Sequence, residues 1–339
     1  MTVSDTPLPA SPDPADAPRR PRPILGILLK VLSALSFTLM AAIVRHSATG
    51  GIRFNPPVGQ LVFFRSFFAL VPVLIWLTYA RPLSAAFATK NLKGHIRRGI
   101  IGTLGMFLGF AGLVYLPLPD ATAISYAAPL LSVLLAAVIL KETVRLYRWT
   151  AVVIGLFGVI VMLLPHLALG GKHVPPGAAT GVWLALGGAL CAAVATIEVR
   201  RLTATEHTAA IVVYFSLFTT VAALVTFGLG LVRPEMAWHW PGARDFWMLA
   251  AIGMLGGIGQ ILMTHSYRYA DASVIAPFDY TSMIWALLIG WLLFGEIPEK
   301  LVLIGAVIVI ASGVFVILRE RQLGIERKRM RRTGPGRPL

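Results

Sequence analysis

Six polar side chains lie inside long apolar stretches of the sequence, and their chemistry needs explaining first. They are Arg65, Ser125, Tyr126, Gln260, Asp279 and Tyr280. A charged group near the centre of a bilayer costs about 3 kcal/mol or more, so such groups face a cavity, pair with one another or handle a ligand or ion. We therefore take these six as the candidate residues for substrate binding or ion coupling.

Asp279 lies in the stretch SVIAPFDYTSMIWALL, two residues after Pro277. A carboxylate in low-dielectric surroundings can carry a proton, hold a cationic or hydrogen-bonding substrate, or pair permanently with Arg65. The sequence leaves these three roles open. Pro277 removes a backbone donor and frees the carbonyl of Ser273, which predicts a kink confined to the first turns of its helix.

A second proline interrupts another apolar stretch, beside Ser125 and Tyr126. Pro129 frees the carbonyl of Ser125, so a local kink is predicted that could aim polar groups at a cavity. The alternative is that the Ser125 hydroxyl bonds back to its own helix, and both alternatives predict the kink. Gln260 offers a donor and an acceptor together, which suits a heterocyclic ligand.

Arg65 and four further ionisable groups in or near apolar stretches also have structural interpretations. Arg65 is expected to pair with a fixed scaffold group, contact substrate or reach the headgroups, and Lys30 is expected to snorkel to the membrane surface. Glu198 stands just before two arginines, which favours an ion pair over a coupling role. Glu142 and Glu296 end apolar stretches before short turns, where a capping or repeat-junction role is expected.

The remaining motifs argue against metal, cofactor or nucleotide chemistry. The seven histidines are scattered, HExxH and paired aspartates are missing from the sequence, and Cys191 is its only cysteine. No metal, no cofactor and no catalytic residue is therefore expected. The pattern GxxxxGK[ST] is also missing, which argues against a primary pump. The net charge of +15 lies mostly between apolar runs, so nucleic acid is not an expected partner.

Composition and spacing identify the elements that position these residues. Apolar residues make up 57% of the 339 residues and charged residues only 13%, whereas soluble domains have about a quarter charged residues. The long unalternating runs predict an all-α integral membrane protein rather than a barrel. Ten spans are predicted, at 24–44, 57–79, 99–116, 121–140, 149–165, 178–199, 208–231, 246–267, 272–294 and 301–318.

The distribution of basic residues predicts the orientation of these spans. With a cytoplasmic amino terminus, 22 of the 30 Lys and Arg residues fall in cytoplasmic segments and six in the opposite loops. This bias predicts that both termini lie in the cytoplasm. A multi-pass protein of the bacterial inner membrane is expected. Residues 1–23 are Pro-rich and polar, which predicts disorder, and residues 320–339 form a basic cytoplasmic tail.

An internal repeat is the most informative long-range pattern. An offset of 150 places LVFFRSFFALV on IVVYFSLFTTV, and an offset of 151 places Gly102 on Gly253. Two repeats of five helices are predicted, at 24–165 and 178–319, joined by a linker at 166–177. Five is odd, so the second repeat must cross the membrane in the inverted direction. Inverted repeats are typical of transporters whose central site opens alternately to either side.

Three segments resemble the EamA-type members of the drug/metabolite transporter superfamily. They are FFR at 63–65, the pattern around SYAAPLLSVLLAAVILKE, and APFDYTSMIWALLIGWLLFGEIP. The resemblance spans 24–320 and implies a cavity lined by spans one, three, four, six, eight and nine. The protein as a whole is expected to contact membrane lipid. It also implies that spans five and ten are peripheral or form a homodimer contact.

The same resemblance implies a secondary transporter of a small organic metabolite. The segment from HIRRGIIG to SYAAP is more similar to the importers of riboflavin and S-adenosylmethionine than to amino-acid exporters. Export of amino acids or drugs is the alternative within the family. An integral-membrane enzyme or lipid-binding scaffold is the alternative outside it.

Overall fold

A computed structural model of the chain describes residues 22–50, 55–80, 89, 91–139, 145–166, 176–203, 206, 208–270 and 272–332. The regular secondary structure of these residues is helical, and ten segments of it are long and apolar enough to cross a membrane. This confirms the predicted fold class. The predicted linker lies mostly outside the described residues, as does all but the end of the predicted disordered terminus.

Eleven α-helices form the spans. They are α1 (Pro23–Ala48), α2 (Val58–Ala80), α3 (Leu92–Tyr115), α4 (Leu118–Ser125), α5 (Ala127–Ile139), α6 (Leu146–Leu163), α7 (Ala178–Leu202), α8 (Thr208–Gly230), α9 (Ala243–Tyr269), α10 (Thr281–Phe294) and α11 (Lys300–Arg332). Because the spans alternate in direction, α1 begins and α11 ends at the same face of the bundle, here called the terminal face. The other is called the opposite face.

The fourth and ninth spans are each broken near a proline, as predicted. In the fourth span α4 ends at Ser125, Tyr126 is a turn residue, and α5 contains Pro129. In the ninth span a single helical turn, Ala272–Ile275, is followed by the 3₁₀ segment Ala276–Tyr280, which contains Pro277 and leads into α10. The two breaks occupy equivalent positions of the two repeats, because Tyr126 and Tyr280 stand at the end of each.

Helix packing follows the inverted repeat. The two most extensive interhelical contacts are α3 with α7 and α1 with α9, which exchange under the repeat. Small residues bring these backbones together: a Cβ at Gly188 would lie 3.1 Å from the Gly109 backbone nitrogen. The α6 and α11 helices pack mainly on each other, at one edge of the bundle. This arrangement agrees with the peripheral place expected for spans five and ten.

The register of the third and eighth spans differs from the one that the sequence suggested. At the end of α3 the N–H of the C-cap Leu116 donates to the Gly112 carbonyl, and at the end of α9 the N–H of the C-cap Ala270 donates to the Ser266 carbonyl. The ends of the two helices are therefore 154 residues apart in the sequence. The predicted offset of 151 is therefore wrong by three. Glycines stand three residues apart at 99, 102 and 105 in α3 and at 253, 256 and 259 in α9, so a shift of three residues still places glycine on glycine and hides the error.

Two helix boundaries also differ from the predicted spans. The α3 helix begins seven residues before the predicted start because the Asn91 side chain accepts a hydrogen bond from the Gly94 N–H at 2.9 Å and caps it. The α11 helix continues past residue 318 to Arg332. Its extension is rich in Arg, Glu, Gln and Leu, which favour helix, and the first proline comes at position 335.

Candidate functional site

The two broken spans meet through their tyrosines. The Tyr126 hydroxyl lies 2.6 Å from the Ser282 hydroxyl, and the Tyr126 and Tyr280 rings pack edge to face with centroids 5.1 Å apart. The Ser282 hydroxyl also donates to the Asp279 carbonyl at 2.8 Å, where the 3₁₀ segment gives way to α10. The helix breaks thus place polar side chains from both repeats in one cluster.

A cavity of about 300 Å³ lies beside this cluster, in the half of the bundle toward the opposite face. We call it the small-residue cavity. Its lining includes Met40, Gly105, Gly109, Thr122, Ser125 and Ala185. Ser125 is exposed to this space, and its hydroxyl donates to the Thr122 carbonyl at 2.6 Å, which is the back-bonding alternative considered above. The hydroxyl oxygen can still accept a hydrogen bond from a ligand.

Asp279 does not pair with Arg65. Its carboxylate lies 2.7 Å from the Lys30 ammonium, with the Lys30 side chain 2% exposed and the Asp279 side chain 52% exposed. Lys30 also lies over the Tyr267 ring, 5.0 Å from its centroid, and within 3.5 Å of the Tyr267 hydroxyl. The snorkelling role expected for Lys30 is therefore wrong, because Asp279 and Tyr267 hold the ammonium of this buried side chain inside the bundle.

The Lys30 cluster occupies the inverted counterpart of the small-residue cavity. Gly26 of α1 packs on Ala270 as Gly181 of α7 packs on Leu116, which sets an offset of 155 between α1 and α7. Four of the equivalent positions carry larger side chains: Lys30 for Ala185, Phe37 for Ala192, Met263 for Gly109 and Asp279 for Ser125. These side chains narrow the counterpart toward the terminal face, whereas the cavity toward the opposite face is open.

Arg65 and Gln260 belong to a different space. With Arg98 they line a cavity of about 120 Å³ on the terminal side, here called the arginine cavity. Its lining comes from the terminal-side parts of α3, α7 and α8 and from the central parts of α2 and α9. The structure therefore divides the predicted site residues into two groups, one around Tyr126 and one around Arg65.

Three predicted ion-pair and capping roles can be compared with the structure. Glu296 accepts a hydrogen bond from the Leu118 N–H at 2.8 Å and pairs with Arg45 at 2.8 Å, which confirms its capping role. Glu198 pairs with Arg97 at 3.2 Å and Arg201 at 2.8 Å, as predicted. Glu142 lies outside the described residues.

Sequence reasoning missed Arg98, and it gave Lys30 no role in the site. Arg98 was assigned to a cytoplasmic loop because the apolar run begins only at Gly99. The Asn91 cap could have revealed that the helix begins earlier, which places Arg98 inside it. Neighbouring Arg97 is on the exposed side of the helix, and only Arg98 turns inward.

Comparison with known proteins identifies relatives over most of the chain. The EamA-like transporter family matches twice, at residues 24–164 and 179–319. A crystal structure of a protein 20% identical superposes with a TM-score of 0.58, covering 88% of this chain and 98% of the other, and supports the fold.

Relatives with assigned substrates include importers and an exporter. The chain is 27% identical to the pseudopaline exporter CntI of Pseudomonas aeruginosa, over 85% of this chain and 94% of the relative. It is 28% identical to the S-adenosylmethionine uptake transporter of Rickettsia prowazekii, over 78% and 84%. It is 26% identical to the riboflavin transporter of Vibrio cholerae, over 87% and 93%.

Proposed function

The chain belongs to the EamA-like transporter family, and from this premise we propose that it moves a small organic metabolite across the cytoplasmic membrane by alternating access. The carrying observation is the unequal filling of two spaces that the inverted repeat makes equivalent. One is the open small-residue cavity, and the other is closed by Lys30, Asp279 and Tyr267. If the closed space opened and the open space closed, the site would become accessible from the other side of the membrane.

The predicted orientation in the membrane determines which side of the membrane each of the two spaces faces. With both termini in the cytoplasm, as the basic residues predict, the small-residue cavity faces outward and the Lys30 cluster closes the cytoplasmic side. The exposed apolar side chains of α6 and α11, including Phe157 and Val307, would contact membrane lipid or a second copy of the chain.

Asp279 is suited to couple substrate binding to opening. Its half-exposed carboxylate is reachable by water, while the buried Lys30 depends on it for charge neutralisation. Protonation of Asp279, or its pairing with a cationic group of the substrate, would break the Lys30–Asp279 ion pair. The contact that this pair makes between α1 and the ninth span would be lost with it. Asp279, Tyr280, Tyr126 and Ser125 are therefore proposed as the substrate and coupling residues around the small-residue cavity.

The proposed substrate is a vitamin or a nucleoside-like cofactor, such as riboflavin or S-adenosylmethionine. Relatives named as an S-adenosylmethionine uptake transporter and a riboflavin transporter support the proposal, as do aromatic edges and hydrogen-bonding groups beside the cavity. Growth of a riboflavin auxotroph at low external riboflavin, and of an S-adenosylmethionine auxotroph likewise, tests it directly. Rescue of one strain supports the substrate class, and rescue of neither contradicts import of both compounds.

Export of a metabolite is the second candidate, supported by the similarity to a pseudopaline exporter. Counterflow in proteoliposomes tests transport itself, whichever its cellular direction. Saturable exchange that is accelerated by substrate on the far side supports a carrier. Chemical turnover of the compound without translocation would instead indicate a membrane enzyme, and binding without either would indicate a scaffold.

A further inference from the structure

The arginine cavity contains two cationic side chains and no described carboxylate to neutralise them. Arg65 and Arg98 line it from α2 and α3, and its lining includes neither Asp nor Glu. Asp279, Glu296 and Glu198 form their ion pairs elsewhere, with Lys30, Arg45 and Arg97. Two like charges in a confined, poorly hydrated space repel each other and are costly without an anion.

The two guanidinium groups are held in place by apolar and small groups. Arg98 lies over the Phe215 ring, 4.0 Å from its centroid, and two of its nitrogens are buried without a hydrogen-bond partner. A guanidinium stacked on a ring presents its N–H groups at its edge, where they can bind an oxyanion. The Arg65 guanidinium lies beside Gly256, whose Cβ position would be 3.4 Å from the Arg65 Nε.

The repeat architecture does not require these charges. The counterpart of Arg65 in the second repeat is Phe215, at the offset of 150 residues, and that of Arg98 is Ile252, at the offset of 154. Both charges are therefore specific to the first repeat. Gln260 adds an amide donor to the same cavity.

Methionines separate the arginine cavity from the small-residue cavity. Met40 lines the small-residue cavity, and its sulfur would lie 3.1 Å from the same Gly256 Cβ position that Arg65 approaches. Met106 also lines it and contacts the Ser66 hydroxyl at 3.9 Å through its sulfur. Methionine side chains are flexible, so a ligand group can displace them with little strain.

We propose that Arg65 and Arg98, with Gln260, bind the oxyanion group, a carboxylate or a phosphate, of the transported metabolite after it passes Met40 and Met106. The cavity volume of about 120 Å³ accommodates such a group with several waters. This inference rests on the proposed function and adds to it the charge of the substrate. The substrate carries an anionic group besides the part that contacts Asp279. Of the two compounds named above, S-adenosylmethionine has such a group, a carboxylate, and riboflavin has none.

Anion-dependent unfolding of the purified full-length protein tests the proposal without requiring a known substrate. Sodium acetate or sodium phosphate replaces sodium chloride at constant ionic strength, and the thermal unfolding midpoint is followed with anion concentration. The wild-type midpoint should rise saturably with at least one anion, and the more effective anion identifies the carboxylate or phosphate class. Arg65→Gln and Arg98→Gln should each raise the half-saturating concentration at least tenfold.

Two further variants keep the test decisive. Arg319→Gln removes an exposed arginine of α11 and should behave as wild type, and Arg98→Lys keeps the charge and should retain the anion response if Arg98→Gln fails to fold. A wild-type midpoint that ignores both anions, or an unchanged response in Arg65→Gln and Arg98→Gln, would overturn the proposal. Anion-dependent stability in a protein that shows no counterflow would contradict the transport function and still support the anion site.

Discussion

The Lys30–Asp279 pair should respond unequally to removal of its two partners. Asp279→Asn keeps an amide oxygen beside the Lys30 ammonium but removes the negative charge that neutralises it, on a side chain only 2% exposed. Lys30→Met leaves a carboxylate on a side chain 52% exposed, which water can solvate. The first change therefore leaves a buried uncompensated charge and the second does not.

The magnitude follows from that exposure. Removing one partner of a fully buried pair costs about 3–5 kcal/mol, and the half-exposed Asp279 lowers this to about 2 kcal/mol for Asp279→Asn. For Lys30→Met we expect a loss of less than about 1 kcal/mol, because the remaining carboxylate is screened by solvent. The double variant should be more stable than Asp279→Asn alone, since it removes the unpaired ammonium.

A double-mutant cycle on the purified protein measures these differences through unfolding in mixed micelles. Asp279→Asn should remain folded and inserted, with impaired counterflow. Equal losses from the two single changes, or losses that add in the double variant, would refute the reasoning from burial. Full transport by Asp279→Asn at every pH would remove Asp279 from the site.

Three further changes follow from single contacts. Tyr126→Phe removes the hydrogen bond to Ser282 and should lower the unfolding free energy by about 1 kcal/mol and slow counterflow; unchanged unfolding would contradict this. Gly313→Ala places a methyl group on the Tyr280 hydroxyl and should reduce transport, with partial recovery in the double variant with Tyr280→Phe. Ala185→Leu adds bulk to the small-residue cavity and should weaken substrate exchange at least tenfold without loss of membrane insertion, which cell fractionation checks.

Span number, helix breaks and repeat symmetry could be predicted because each depends on local patterns. Apolar length marks a span, and Pro129 and Pro277 mark the breaks. The six candidate residues were found because a polar group in an apolar run is conspicuous. Their division into two groups was not predictable, because it depends on which helix faces meet and therefore on the glycine packing of α3 and α9.

The partners of charged residues were the hardest feature to predict. Lys30 lies near a helix start, where snorkelling is the usual outcome, and only its tertiary neighbours Tyr267 and Asp279 keep it inside. Arg98 precedes the apolar run, so hydropathy places it in a loop although helix α3 already includes it. Both errors arise because hydropathy reads composition along the chain and not the direction of side chains around a helix.

Sided labelling of one engineered cysteine tests the central claim most directly. Ser125→Cys, in a chain whose Cys191 is changed to serine, places a thiol at the small-residue cavity. A membrane-impermeant thiol reagent should label it from outside the cell, and inverted vesicles should show little labelling until Asp279→Asn is added. Equal labelling from both sides before Asp279→Asn is added, or no effect of Asp279→Asn, would contradict a cavity that the Lys30–Asp279 pair closes on the cytoplasmic side.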